Sequence, residues 1–193
     1  LSTVKKADSI IVLKEGEKIA LDSITITDDP LYEGAKFKYN FDDQGVACRT
    51  KNIVENGVFK GFIHDLKTAA IFGVEPTGNS FSGRVSMTNF FLKPGDKSFD
   101  ELIAPIKDGL YITDLQGLHS GVQAISGNFS LQASGFKIIN GKIDHPVKMI
   151  VVSGNFFEIL NSIKEIGNDL ELSDLSGFGS PSVFVGNLAI GGK

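Results

Sequence analysis

The chain has 193 residues, 41% of them hydrophobic and 22% charged, with 19 basic against 23 acidic side chains and a formal net charge of −4. This length suits one domain with a sizeable core, and the composition is that of an ordinary globular protein, which excludes a disordered chain. The weakly acidic balance leaves no electrostatic footprint for a nucleic-acid backbone, and no apolar run reaches the roughly 18 residues of a membrane-spanning helix.

Cys48 is the one cysteine, so an intrachain disulfide and a cysteine-built zinc site are excluded. It reads as a small apolar residue in or near a strand, and a lone cysteine fits a reducing compartment. The opening segment, LSTVKKADSII, lacks a signal-peptide core, and the chain starts at Leu1 rather than methionine, as a segment of a longer protein would.

Strand signals come first. SIIVLK (9–14) and KIAL (18–21) flank Glu15-Gly16-Glu17 and read as a hairpin. In SITITD, Ile24 and Ile26 alternate with Thr25 and Thr27, the period of a half-buried strand, and Asp28-Asp29-Pro30 breaks it. KNIVENGVFKGFI joins two apolar runs through Asn56-Gly57, which suits the two positive φ angles of a type I′ turn. HDLKTAAIFG, with Asp65 as N-cap, is a short helix candidate. SFDELIAPIKDG opens with a Ser98/Glu101 capping box; Pro105 should end this helix early, and Gly109 suits the exit. NFSLQASGF alternates Phe129, Leu131 and Ala133 with Ser130, Gln132 and Ser134 as a strand does. Asn140-Gly141 marks a second hairpin, with Pro146 of its second strand expected at an edge or bulge. NFFEILNSIKEIGN carries Asn155 and Glu158 at its start and an apolar stripe through Phe156, Ile159, Leu160, Ile163 and Ile166, which predicts a helix ending at Gly167. All three helical stripes are expected to face the core. Residues 28–45 and 75–83 read as loops. Hairpins with scattered helices argue for a mainly β (α+β) fold, an antiparallel barrel or sandwich with two or three short helices packed on it.

The chemistry-bearing residues form no catalytic pattern. His64, His119 and His145 lack the spacing of paired metal ligands and read as surface or hydrogen-bonded histidines. GLHSGV does not match the G-x-S-x-G elbow, and neighbouring strand side chains such as His119 and Ser120 point apart. Gly117, Gly121 and Gly127 lead into a strand rather than a helix, so they make no phosphate loop. Asp28-Asp29 and Asp42-Asp43 could bind a metal or move protons, but such pairs more often serve as turn residues.

The order of motifs is more specific than any one of them. TDDP (27–30), FDDQGV (41–46), ENGVFKGFI (55–63) and TAAIFGVEPTGN (68–79) precede GLYITDLQGLHSGVQAISGNFSLQASGF (109–136). NGKIDHPV (140–147), SGNFFEILNSIKEIGNDL (153–170) and GSPSVFVGNLAIGG (179–192) follow. Together they resemble the C-terminal domain of the TldD/PmbA family, peptide-processing metallopeptidases with the older label modulator of DNA gyrase. The resemblance implies a cytoplasmic protein of two or three domains in which residues 1–193 form one domain near the C-terminus. In the TldD-type member an upstream H-E-x-x-x-H motif and a cysteine near the chain end hold zinc; the PmbA-type (TldE) partner lacks the motif, and the two subunits enclose a cleavage chamber.

This sequence carries no H-E-x-x-x-H, and Gly179-Ser180-Pro181 stands where the cysteine motif is expected. It therefore resembles the PmbA/TldE subtype. No catalytic or metal residue is assigned, no cofactor is expected in this chain, and zinc is expected in a TldD-like partner. The expected partners are that paralogue or a second copy, and a peptide, with no nucleic acid or membrane. Gly117, His119, Ser120, Asn128 and Ser130 are the candidate groove or interface contacts. The alternative is a non-catalytic interaction module.

Overall fold

The computed structural model describes residues 3–6, 9–12, 14–123 and 125–192, the first two stretches by their main chain only. β1 (Thr3–Lys6) and β2 (Ser9–Val12) pair antiparallel. β3 (Ile26–Asp28), β4 (Lys51–Glu55) and β5 (Val58–Phe59) follow. The expected hairpin of 9–14 with 18–21 is not formed, and its Leu13 lies outside the described residues. Residues 16–20 instead dock on β5 and its turn: Gly16 N donates to Phe59 O, Lys18 bridges Val58, and Ile19 N and Ala20 N both donate to Gly57 O. The edge of β5 offers unpaired main-chain groups, and this segment takes them up. The Asn56-Gly57 turn has φ of +50° and +76°, as its type requires. β3 is shorter than the alternation suggests, and its interior is polar: Thr27 and Asp28 are buried along with Ile24.

α1 (Leu66–Phe72) runs from its Asp65 cap to Gly73 in the left-handed region. Only Ala69 faces inward; Leu66, Ile71 and Phe72 are exposed, so this stripe does not face the core as expected. A seven-residue helix held by caps at both ends docks through one small residue and leaves its large side chains outside. β6 (Ser80–Phe81), inside the expected loop of residues 75–83, makes a small hairpin with β7 (Arg84–Val85) just beyond it, and β8 (Phe90–Leu92) follows.

α2 (Phe99–Ile103) ends two residues before Pro105, as expected, and buries Leu102 and Ile103. Gly109 is not its exit but lies in β9 (Asp108–Gln116), opposite Ile138. The capping box is closed in both directions: Glu101 N donates to Ser98 Oγ, and Ser98 N donates to the Glu101 carboxylate at 2.8 Å. The N–H of Ser98, then its hydroxyl, hold the Glu101 carboxyl below the usual carboxylate range. Loss of the N-cap hydroxyl in Ser98→Ala should cost about 1 kcal/mol, read by urea unfolding. A depressed folded pKa contributes stability above the unfolded value of about 4.3 and loses it as pH falls through the lower folded value. An NMR titration should find the Glu101 pKa raised only part of the way in Ser98→Ala, which loses the hydroxyl but keeps the larger contribution of the main-chain N–H.

α3 (Leu118–Gly121) is a single helical turn, so Gly117 opens a short helix rather than a strand, and His119 and Ser120 are not the strand neighbours they were expected to be; β10 (Asn128–Ile139) and β11 (Lys142–Asn155) follow. These two long strands form the Asn140-Gly141 hairpin, with φ of +49° and +74° at the turn. Pro146 sits beside a register shift on a stretch of β11 whose other side is unpartnered, since the last strand covers only Val151–Ser153. Both features suit a residue without an N–H. α4 (Phe156–Leu160) starts at the Asn155 cap but does not reach Gly167. Asn161 ends it by donating its amide to Phe157 O and Ile19 O, and Glu165–Ile166 pairs as a strand. Phe156 is exposed, whereas Leu160, Ile163 and Ile166 are buried. β-Branched isoleucines serve strand and helix patterns alike, so the stripe did not distinguish them.

β12 (Glu165–Ile166), β13 (Glu171–Leu172), β14 (Phe178–Ser180), β15 (Val183–Phe184) and β16 (Ala189–Gly191) complete the chain. Among the described residues the fold is mainly β with four short helices. A six-stranded sheet has the order β13-β14-β8-β3-β4-β5, and a four-stranded sheet the order β16-β11-β10-β9. Among the described strands pairing is antiparallel except between β14 and β8, which run parallel, and a single parallel bridge joins Lys97 to Gly167. Among the described residues both sheets stay open, so the barrel form of the expectation is not met. One core cluster joins Ala20, Ile24 and Val54 to Leu160, Ile163 and Ile166; a second lies on β10 and β11 around Ala133, Ile150 and Val152. Among the described residues no helix is long and apolar enough to cross a membrane.

Candidate functional site

The five candidate contacts gather at one corner of the four-stranded sheet. Gly117, with φ of +84°, turns the chain out of β9 into α3, and the N–H groups of Ser120 and Gly121 donate to its carbonyl. His119 and Ser120 stand exposed on that turn, with the Ser120 hydroxyl directed at Gly117 O rather than at the imidazole. Asn128 and Ser130 follow on β10, where Asn155 donates to Asn128 and the Ser153 hydroxyl donates to Ser130 at 3.0 Å. The alternation read for β10 holds: Leu131 and Ala133 are buried, Ser130 and Gln132 exposed.

The thiol and the paired carboxylates are structural, whereas His64, expected at the surface or hydrogen-bonded, is half-buried against Phe72 and its Nδ1 is buried without a hydrogen-bond partner among the described residues. Cys48 is buried and donates to Gly78 O, and burial first, then the Asp42 carboxylate, push its thiol pKa up, away from nucleophilic use. Asp42 accepts from the N–H groups of Gln44, Val46 and Ser80, and Asp43 accepts from Ser82 N. Asp29 takes Leu31 N and the Thr50 hydroxyl, while Asp28 is a buried hub bound to Lys51, Asn79 and Thr88. His145 pairs with the neighbouring Asp144 on an exposed face. Among the described residues no three His, Cys, Asp or Glu side chains converge on a point where a metal could bind. The donor set present does not fit a zinc centre.

None of the five candidates lines the principal groove. That groove, of about 660 Å³, lies between α2, the strands β9–β11 and the segment Ser180–Leu188. One side is apolar, with Phe99, Leu110, Ile112, Phe129 and Val152; Phe99 packs on Tyr111 with ring centroids 4.6 Å apart. The chain Ser180–Val185 also lines the groove. Along the groove runs β9, the terminal strand of its sheet, with no strand paired to its outer edge among the described residues. Sequence reading missed this site because its walls come from three distant segments. The one local signal was Leu110-Tyr111-Ile112-Thr113, whose aromatic and β-branched residues mark a strand.

The Ser180–Val185 wall is anchored from outside. Ser182 N donates to Asp169 Oδ1 at 2.9 Å and its hydroxyl donates to Oδ2 at 2.7 Å. Partial burial raises the Asp169 pKa, but these two bonds outweigh it and hold the carboxyl below its usual range.

Comparison with known proteins gives a concordant result. Residues 2–192 match the model of the PmbA/TldA metallopeptidase C-terminal domain. A metalloprotease of Methanothermobacter thermautotrophicus is 38% identical over 98% of this chain and 44% of its own length. The crystal structure of a Thermotoga maritima protein described as a candidate modulator of a DNA gyrase superposes with a TM-score of 0.86 at 43% identity, covering 92% of this chain and 41% of that one. TldE from Thermococcus kodakarensis superposes at 0.85 with 30% identity, over 93% of this chain and 42% of its own. The chain thus spans less than half the length of these relatives. Its fold, its motif order and these likenesses agree, and the chain belongs to the PmbA/TldD metallopeptidase family, where it corresponds to the C-terminal domain.

Proposed function

We propose that this chain is the single C-terminal β domain of a PmbA/TldE-like subunit in a cytoplasmic metallopeptidase, and that it positions a peptide while a TldD-like partner holds the zinc. The observation that carries the subtype is the composition of the groove wall. Gly179-Ser180-Pro181 occupies the place where the family resemblance leads us to expect a cysteine, and Cys48 is buried elsewhere against Gly78. The peptide role is supported by an apolar groove beside the unpartnered edge of β9. Extended peptides pair their main chain with such edges and place alternate side chains in adjoining apolar pockets. A second copy of the chain is the alternative partner.

The test is cleavage of an unstructured peptide by the complete protein, alone and with a TldD-type paralogue, with zinc measured in each sample. Cleavage should require the pair, and zinc should follow the paralogue. Stoichiometric zinc and cleavage by this protein alone would overturn the assignment. Cleavage indifferent to its presence would instead make it a non-catalytic interaction module.

A further inference from the structure

Ser182 lies where the chain changes sheets. β14 ends at Ser180 in the six-stranded sheet, Pro181 is buried, and β15 begins at Val183 in a separate pair with β12. Proline has no N–H to contribute to either ladder. Main-chain bonding of this segment therefore rests on a two-residue pairing, Glu165–Phe184 and Ile166–Val183, on the bond from Lys164 N to Phe184 O, and on Ser182. All three polar groups of Ser182 are taken by the turn 167–169. Its carbonyl accepts Gly167 N at 2.8 Å, and its N–H and hydroxyl go to the Asp169 carboxylate at 2.9 and 2.7 Å. Asp169 itself does not line the groove, whereas Pro181, Ser182, Val183 and Phe184 do.

We propose that Asp169 is a positioning residue that fixes the Ser180–Val185 wall and thereby sets how tightly the groove holds an apolar peptide side chain, an inference that rests on the peptide-groove reading above. Hydrogen bonds to a charged acceptor are stronger than neutral ones, and two of them on one residue fix both its position and its orientation. Without the carboxylate, the Ser182 N–H and hydroxyl lose their partners, and the wall keeps its short ladder and the main-chain bonds of Gly167 N to Ser182 O and Lys164 N to Phe184 O. Packing contacts fall off steeply with small gaps, so a displaced wall weakens an apolar side chain in the groove while leaving main-chain pairing along β9 intact.

The complete protein should be tested by fluorescence anisotropy with two fluorescein-labelled unstructured peptides, one with a central phenylalanine and one with glycine in its place. Asp169→Ala should bind the phenylalanine peptide about tenfold more weakly and the glycine peptide as the wild type does. Asp169→Asn, whose oxygen still accepts the Ser182 N–H and whose amide can donate to its hydroxyl, should recover affinity to within about twofold. Ser182→Ala, which loses only the hydroxyl bond, should fall between them, at about threefold. The inference is overturned if Asp169→Ala binds the phenylalanine peptide normally, if the asparagine variant fails to recover it, or if both peptides weaken alike. A wild-type protein that binds neither peptide overturns the peptide-groove reading itself, and the role of Asp169 with it.

Discussion

Asp28→Ala is expected to cost about 3–5 kcal/mol of folding stability, the range for removing one partner of a buried ion pair. The Asp28 carboxylate is fully buried. Oδ1 accepts the N–H and hydroxyl of Thr88 at 2.6 and 2.8 Å, and Oδ2 accepts the Asn79 amide at 2.8 Å and the Lys51 ammonium at 3.0 Å. Truncation leaves four donors facing an apolar gap, one of them a cation whose side chain is only 18% exposed. Stranded buried donors lose their hydration without compensation, which is why the loss exceeds the net value of the bonds themselves. Asp28→Asn keeps the shape but turns one acceptor into a donor among donors, and should cost about 2 kcal/mol. Urea unfolding measures both; a loss below about 1 kcal/mol for the alanine variant would show that the pocket admits water or rearranges.

Gly57→Ala is expected to cost about 2–4 kcal/mol, from a left-handed backbone and a direct clash together. Gly57 has φ of +76°, and a Cβ there would lie 2.3 Å from Ala20 O and 2.7 Å from Leu21 O. The obstructed groups are main chain, which cannot swing aside as a side chain does. The segment they belong to is bound to this same residue: Ile19 N and Ala20 N donate to Gly57 O, and Gly57 N donates to Ile24 O. Ala20 and Ile24 are in turn core residues packed with Val54 and Ile163, so displacing the segment opens the core. Gly16→Ala is the control. Its φ is +84°, but nothing lies within 4 Å of a Cβ, so it should cost only about 1 kcal/mol. Equal losses in the two variants would show that the close approach contributes nothing.

Local devices were legible in the sequence. Asn56-Gly57 and Asn140-Gly141 form the hairpins they announce, and Asp65, Ser98 and Asn155 each cap the helix they precede. Each depends on a few adjacent residues whose backbone preferences decide the outcome. The order of motifs identified the family for a similar reason, since it can be read along the chain. What depended on distant partners was not legible. Asp28 looked like part of a turn because the groups that bury it, Asn79 and Thr88, lie 51 and 60 positions away. The stripe through Ile163 and Ile166 does reach the core, but from a strand and a turn, because Phe184 offered a ladder that outcompeted a further helical turn. The groove is the extreme case. No single segment of it is unusual, and it exists only where β9 and Ser180–Val185 meet.

The parallel pairing of β14 with β8 carries a consequence for biosynthesis. Phe178 and Gly179 stand beside Phe90 and Phe91, so one flank of β8 is finished by a strand made almost ninety positions later, on the order of half the chain. While the ribosome is producing the intervening residues, β3, β4 and β8 can associate, but β8 presents an open main-chain edge. Such edges recruit strands from other molecules. Closure of the six-stranded sheet therefore waits for residues 178–180, and the strand that protects the flank of β8 is one made long after β8 itself.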